Sequence, residues 1–243
     1  MFIHLNMYQL KLGYAHLLGA APDVFDRVGL TFVETTLREQ PEWANSVLPI
    51  WLVKIKHAIV CSVAPAYAVA ARTAFGAVPL SSLMEPGLVQ RGSLAWPGTW
   101  IQREILYHPS GTAPPVDTTY NVEFLSAGSP AADALLATFD GGVYVIRDDQ
   151  NNIVAHAGIK KKGIIHELAV HTQVSFHRQG LGKAVVAYAV AEIVSQGNVP
   201  VYIPDTPHNT ASYALATTLG FEKAGEMLLC EYALPRWQGF AVL

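Results

Sequence analysis

The chain is short of cysteine, of charge and of long apolar runs, and each shortage closes off a class of protein. Cys61 and Cys230 are its two cysteines in 243 residues. Both lie in apolar, strand-like runs, so buried free thiols are expected and no oxidising compartment is implied. There is no paired-cysteine motif and no HExxH, so the nine histidines lack zinc-site spacing and no metal is expected. Charged residues make up 14% of the chain and the net charge is −3, which gives no sign of a nucleic-acid surface. No stretch reaches the roughly 18 to 20 continuous apolar residues of a membrane helix. The first residues are apolar but carry no basic leader, and Lys11 interrupts them. No cleavable signal is read there, and a cytoplasmic location without membrane contact is expected. What is plentiful is apolar material, 51% of residues, enough to build a substantial core.

Loop signals crowd one region: EPG at 85–87, WPG at 96–98, HPSG at 108–111 and APP at 113–115. They place a boundary near 115, between an N-terminal α/β domain at 1–115 and a second domain at 116–243. Upstream, 28–34 and 57–63 read as strands, and Pro65 opens a helix at 66–75. Downstream, 120–125 reads as a strand. Ser129 and Pro130 read as an N-cap and first-turn proline of a short helix ending at Phe139. Strands at 143–147 and 153–160 read as a hairpin, and a third follows at 163–171. A helix at 181–196, a strand at 200–203 and a helix opened by Asn209 come next, then two short strands around Gly225. The expected fold class is α/β, with a mixed, mostly antiparallel twisted sheet flanked by helices.

The stretch 166–184, HELAVHTQVSFHRQGLGKA, is the most informative. It passes from a buried strand through a polar loop to Gly180 and Gly182, where a long helical pattern begins. Glycines there let backbone approach a ligand, and a helix start offers unpaired N–H groups and the positive end of a dipole. Arg178 and Lys183 add positive charge, and Lys183 opposes the dipole unless an anion sits beside it. The plain alternative is an ordinary tight turn. Neither nucleotide fingerprint is satisfied: Val185 stands where GxGxxG needs its third glycine, and Ala184 follows Lys183 where a phosphate loop needs Ser or Thr.

Four ordered blocks decide between these readings: LAV at 168–170, HRQGLG at 177–182, NTAS at 209–212 and LGFEKAGE at 219–226. Together they resemble the GNAT superfamily of acyl-CoA-dependent N-acyltransferases over roughly 117–235. The piece GNVPVYIPDTPHNTAS at 197–212 looks most like the glycine N-acyltransferase-like branch. The resemblance implies acetyl-CoA as cosubstrate. It implies that Leu168, Ala169 and Val170 pair with the pantetheine arm, and that this strand splays from the one at 201–203 to leave a slot for the thioester. It implies that His177, Arg178, Gln179, Gly180, Leu181, Gly182 and Lys183 cradle the pyrophosphate, and that Asn209 and Ser212 contact the pantetheine or an ordered water. Helix capping is the other reading of that Asn and Ser. The chain departs from the family at His177, usually Arg or Gln, and at Ala216, usually a tyrosine. Its first helical region, 129–139, is also short, which points to the N-terminal half for acceptor choice.

Acyl transfer from a thioester to an amine needs a neutral amine, a stabilised oxyanion and a thiolate that can leave. Glu167, just before the LAV block, is the candidate general base. A strand carboxylate in a local ion pair is the alternative. His166 is its rival, since neighbours on a strand face opposite ways. Tyr213, about one helical turn before Ala216, is the candidate acid for the thiolate, against plain aromatic packing; water would serve otherwise. The expected activity is acetyl transfer from acetyl-CoA to a primary amine by direct attack. The alternatives are a non-catalytic acyl-CoA-binding or sensing module and an N-acyltransferase for a longer acyl-CoA.

Overall fold

The computed structural model describes residues 3–43, 46–85, 87, 98–109, 111–125, 130–204 and 209–233. The described strands are β1 (Gly29–Glu34), β2 (Pro41–Trp43), β3 (Ser46–Ile55), β4 (Ala58–Val63), β5 (Thr99–Tyr107), β6 (Glu123–Leu125), β7 (Val143–Arg147), β8 (Ile153–Lys162), β9 (Ile165–Thr172), β10 (Val199–Tyr202) and β11 (Glu222–Ala233). The described helices are α1 (Ile3–Leu17), α2 (Ala68–Gly76), α3 (Pro130–Leu136), α4 (Leu181–Ser195) and α5 (Thr210–Thr218). They form a mixed α/β fold with mostly antiparallel sheet flanked by helices. By backbone proximity the chain forms two compact units, each from two stretches: Met1–Gly13 with Ile105–Lys223, and Tyr14–Glu104 with Ala224–Leu243.

In the first unit the strand order is β5–β10–β9–β8–β7–β6. β6 through β9 run antiparallel, β10 is parallel to β9, and the end of β5 is antiparallel to β10 at Leu106 and Tyr107. The β7–β8 turn is built by Asp148, whose carboxylate accepts from the N–H of Gln150 and Asn152 at 3.0 and 2.8 Å. Alternation along β9 sends Leu168 into a core shared with α4, so Glu167, Ala169 and His171 project from the other face. α4 buries eight of its fifteen residues, mostly Ala and Val, which lets it lie close on the sheet. Pairing between β9 and β10 runs from Ile165 with Val199 to Leu168 with Tyr202 and stops there. β9 continues to Thr172, still paired with β8. Ala169–Thr172 therefore have a strand on one side and no described strand on the other.

The second unit is built on β3, which is buried at every position except the half-buried Lys54. β3 pairs antiparallel with β4 and β11, and β1 lies parallel to β4 over all six of its residues. Cys61 and Cys230 are buried free thiols in the core of this unit, and burial pushes both thiols up, Cys230 to about 12.

Several elements differ from the sequence reading. α1 was not expected; Gly13 in its interior and the lack of an acidic first turn hide it. β3 was missed because its unbroken apolar run has no alternation to read. The loop-rich stretch 84–117 contains the nine-residue β5. β11 is one strand, not two, because Gly225 pairs tightly with β3. A Cβ at Gly225 would lie 2.0 Å from the Lys54 carbonyl oxygen, so the glycine permits the pairing rather than ending it. The expected cap at Ser129 lies outside the described residues.

Candidate functional site

The end of β9, the loop after it and the starts of α4 and α5 enclose a cavity of about 630 Å³. Its walls include Val170, Thr172, His177, Arg178, Gly182 and Ser212. All of these residues lie within the first compact unit.

Backbone conformation makes the cavity. After Thr172 a single 3₁₀ turn, Val174–Phe176, reverses the chain. Arg178 and Gly180 are then both left-handed, at φ 61° and 83°. A non-glycine residue in that region costs on the order of 1–2 kcal/mol, so Arg178 needs support from its surroundings. Two side chains brace the loop. A ring nitrogen of His177 lies 2.9 Å from the Thr172 carbonyl oxygen, tying the loop to its own strand. The Tyr120 hydroxyl donates to the Gln179 carbonyl. His177 thus has a structural role: its ring holds the loop to β9.

Beyond the brace, α4 starts without a side-chain cap. No described residue accepts a hydrogen bond from the backbone N–H of Gly180, Leu181, Gly182 or Lys183. These are the orphan donors of a helix start, and they carry its partial positive charge. Gly182 is needed for space. A Cβ there would lie 3.1 Å from Thr172 Oγ1 and 3.7 Å from Val170 Cγ2, so a larger side chain would fill the gap between helix and strand. Arg178 and Lys183 line the same cavity. Asp117 lies near Lys183: hydrogen bonds from the Thr119 hydroxyl and N–H hold its carboxyl below the usual range, and the Lys183 charge adds to that.

On the far wall, Asn209 caps α5, its side chain accepting from the Ser212 N–H at 3.0 Å. The Ser212 hydroxyl is 2.7 Å from the hydroxyl of Tyr202, the last residue of β10. Burial raises the Tyr202 phenol, and the hydrogen bond to Ser212 partly offsets this. Asn209 and Ser212 therefore both line the cavity and perform the local structural job that their residue types suggest.

Val170, His177, Arg178 and residues 180–183 line the cavity together, whereas Leu168, Ala169 and Gln179 do not. Leu168 packs in the core, Ala169 projects from the opposite face, and Gln179 offers its carbonyl to Tyr120. Glu167 also stands off the cavity. It sits one residue before the strands part, with its Oε2 3.0 Å from Lys162 Nζ. Tyr213 is on the outer side of α5, 37% exposed and away from the cavity, while Ala216 is in the core. His166 is buried between strands; burial, then the Lys161 charge, pushes its pKa down. His171 lines the cavity and stacks near His156, whose pKa burial and the His171 charge both lower. Sequence reading missed Tyr120, Thr172 and Tyr202. The one signal available was the Tyr202–Ser212 spacing across a strand–helix connection, and residue types alone do not show which way those side chains point.

This geometry would hold a phosphorylated ligand with a long flexible arm: donors and cations at one end, an open strand edge at the other. Among the described residues no cluster of side chains is arranged to bind a metal ion. No described helix is long and apolar enough to cross a membrane.

The profile of the acetyltransferase (GNAT) family matches residues 114–221. Similar solved structures include one from Novosphingobium aromaticivorans DSM 12444 assigned to that family, at 20% identity over 55% of this chain and 64% of that one, TM-score 0.47. A GCN5-related N-acetyltransferase from Kribbella flavida has 23% identity over 68% and 74% of the two chains, TM-score 0.46. One from Sphaerobacter thermophilus has 11% identity over 94% and 92%, TM-score 0.49. The chain spans just under two thirds of the first of these. No curated protein matches the sequence.

Proposed function

We propose that the protein, whose residues 114–221 match the acetyltransferase (GNAT) family, moves an acetyl group from acetyl-CoA to a primary amine by direct attack. The observation that carries this reading is the open junction from β9 to α4. A strand edge without a described partner leads into a loop with two left-handed residues and a helix start whose N–H groups have no described acceptor.

Bound acetyl-CoA supplies an activated thioester. The N–H groups of residues 180–183, with Arg178 and Lys183, hold the pyrophosphate. The free edge of Ala169–Thr172 pairs with the pantetheine arm, and Asn209 and Ser212 border it from α5. Backbone donors at the parting of β9 and β10 meet the acyl oxygen, where such groups are each worth about 10² to 10³ in rate. Glu167 takes the amine proton, which requires it to exchange its contact with Lys162. Tyr213 or water returns a proton to the thiolate; the exposed position of Tyr213 favours water. Acceptor choice falls to chain outside 116–243, since α3 has only seven residues to shape a pocket. A cytoplasmic setting belongs to the same reading.

Acetyl-CoA at about 100 times its dissociation constant should stabilise the fold by roughly 2.7 kcal/mol. Purified protein should also release free CoA when a panel of primary amines is added. A melting temperature indifferent to millimolar acetyl-CoA, in protein free of prebound CoA, would remove the binding claim. A normal shift with no CoA release from any amine would leave a binding module.

A further inference from the structure

The loop that closes the cavity is strained, and one of its two braces comes from a distant part of the chain. Arg178 and Gly180 are left-handed on either side of Gln179. The Tyr120 hydroxyl, 59 residues away in sequence, donates to the carbonyl of that middle residue. A trans peptide is planar, with its C=O and N–H pointing opposite ways. Fixing the Gln179 carbonyl against Tyr120 therefore fixes the Gly180 N–H on the side away from Tyr120. That N–H has no described acceptor, and Gly180 lines the cavity. Gly180 also fits the phenol closely, since a Cβ there would lie 3.0 Å from the Tyr120 oxygen. The Tyr120 ring is itself packed against the core that holds α4, so the hydroxyl is delivered from a fixed base.

We propose that Tyr120 is a positioning residue for phosphate binding: its hydroxyl holds the Gln179–Gly180 peptide in the orientation that presents the Gly180 N–H to a pyrophosphate. This rests on the reading of the cavity as an acyl-CoA site and adds to it a residue that touches neither the ligand nor the reacting atoms. His177 braces the same loop from the strand side, so two side-chain hydrogen bonds hold the left-handed segment ready before a ligand arrives. A ligand without phosphates does not use the oriented N–H and is indifferent to the brace.

The test compares CoA with phosphate-free S-acetyl-pantetheine, using the dissociation constant of each measured by titration calorimetry. In full-length Tyr120→Phe, the apo protein should stay folded and melt at most a few degrees below the wild type, since one hydrogen bond is lost. Its affinity for CoA should fall about three- to tenfold, the effect of one hydrogen bond, while its affinity for S-acetyl-pantetheine stays the same. Gly180→Ala, which crowds the phenol and strains the turn, should show the same selective loss and serves if the Phe variant does not fold. Equal losses for both ligands, or unchanged CoA affinity, would overturn the proposal. Wild-type protein that does not respond to CoA would remove the acyl-CoA reading itself, and the role of Tyr120 with it.

Discussion

Each compact unit contains a strand that has a parallel neighbour and then turns into a helix, and the two turns are made differently. In the second unit, β1 stays paired with β4 to its last residue, and the Thr35 N–H goes on to bond Val63. Ala64 is buried and donates to the Pro49 carbonyl; Pro65, which has no N–H, then begins the 3₁₀ turn into α2. That junction is closed in that the N–H groups of Thr35, Ala64, Tyr67 and Ala68 all have acceptors and Pro65 has none to place. In the first unit, β10 leaves β9 at Leu168, four residues before the strand ends, and the chain enters α4 through a left-handed loop. That junction is open, with donors left over. The contrast teaches that the strand-and-helix arrangement does not by itself make a site. The site arises where strand pairing stops early and the helix start is left uncapped.

Filling the open junction should have the largest effect. Gly182→Glu places a long acidic side chain where a Cβ already meets Thr172 Oγ1 and Val170 Cγ2. It should abolish the acetyl-CoA melting shift in protein that is otherwise folded. Ala66→Glu, at an exposed position in the closed junction, should leave the shift intact. A normal shift in folded Gly182→Glu protein would locate ligand binding elsewhere and end the comparison.

Glu167→Gln separates binding from chemistry at the open junction. Gln keeps the size of Glu167 and cannot take a proton. Turnover at neutral pH should fall by about 10² to 10⁴ if Glu167 is the base, with acetyl-CoA affinity nearly unchanged. The loss should shrink at high pH, where the amine is already neutral. The contact with Lys162 gives the opposing expectation. Full activity at every pH would make Glu167 a structural partner of Lys162 and leave proton removal to water.

The contrast between the junctions also explains what the sequence made legible. Gly180, Gly182 and the polar run before them mark the open junction, because backbone conformation there demands particular residue types. β9, α4, β10 and α5 follow in the expected order for the same reason: their periods and punctuation are local. Failures fall where the determinant is distant. The end of β9–β10 pairing is set by register, and the family resemblance implies it where no residue type at Ala169 signals it. Tyr120 and Tyr202 matter through hydrogen bonds to Gln179 and Ser212, which depend on how the strands and helices pack. α1 and β5 carry no strong cap or alternation of their own and take their form from the sheet they join.

The smallest effect decides between two roles of Asn209. Its side chain caps α5 through the Ser212 N–H, and it also lines the cavity. Asn209→Ala removes the cap and should cost about 1 kcal/mol of stability in the apo protein. That loss alone says nothing about the ligand. Asn209→Asp keeps the cap and suits the helix dipole, so apo stability should be retained. It also adds a negative charge to the wall of a cavity proposed to hold an anionic cofactor. If Asn209 contacts acetyl-CoA, the Asp variant should bind it several-fold more weakly at low salt, with the difference narrowing as salt screens the charge. Calorimetric affinities at two ionic strengths would read this directly. If the Asp variant binds acetyl-CoA as tightly as the wild type at both, Asn209 is a helix cap alone, and the α5 side of the open junction supplies structure rather than contacts.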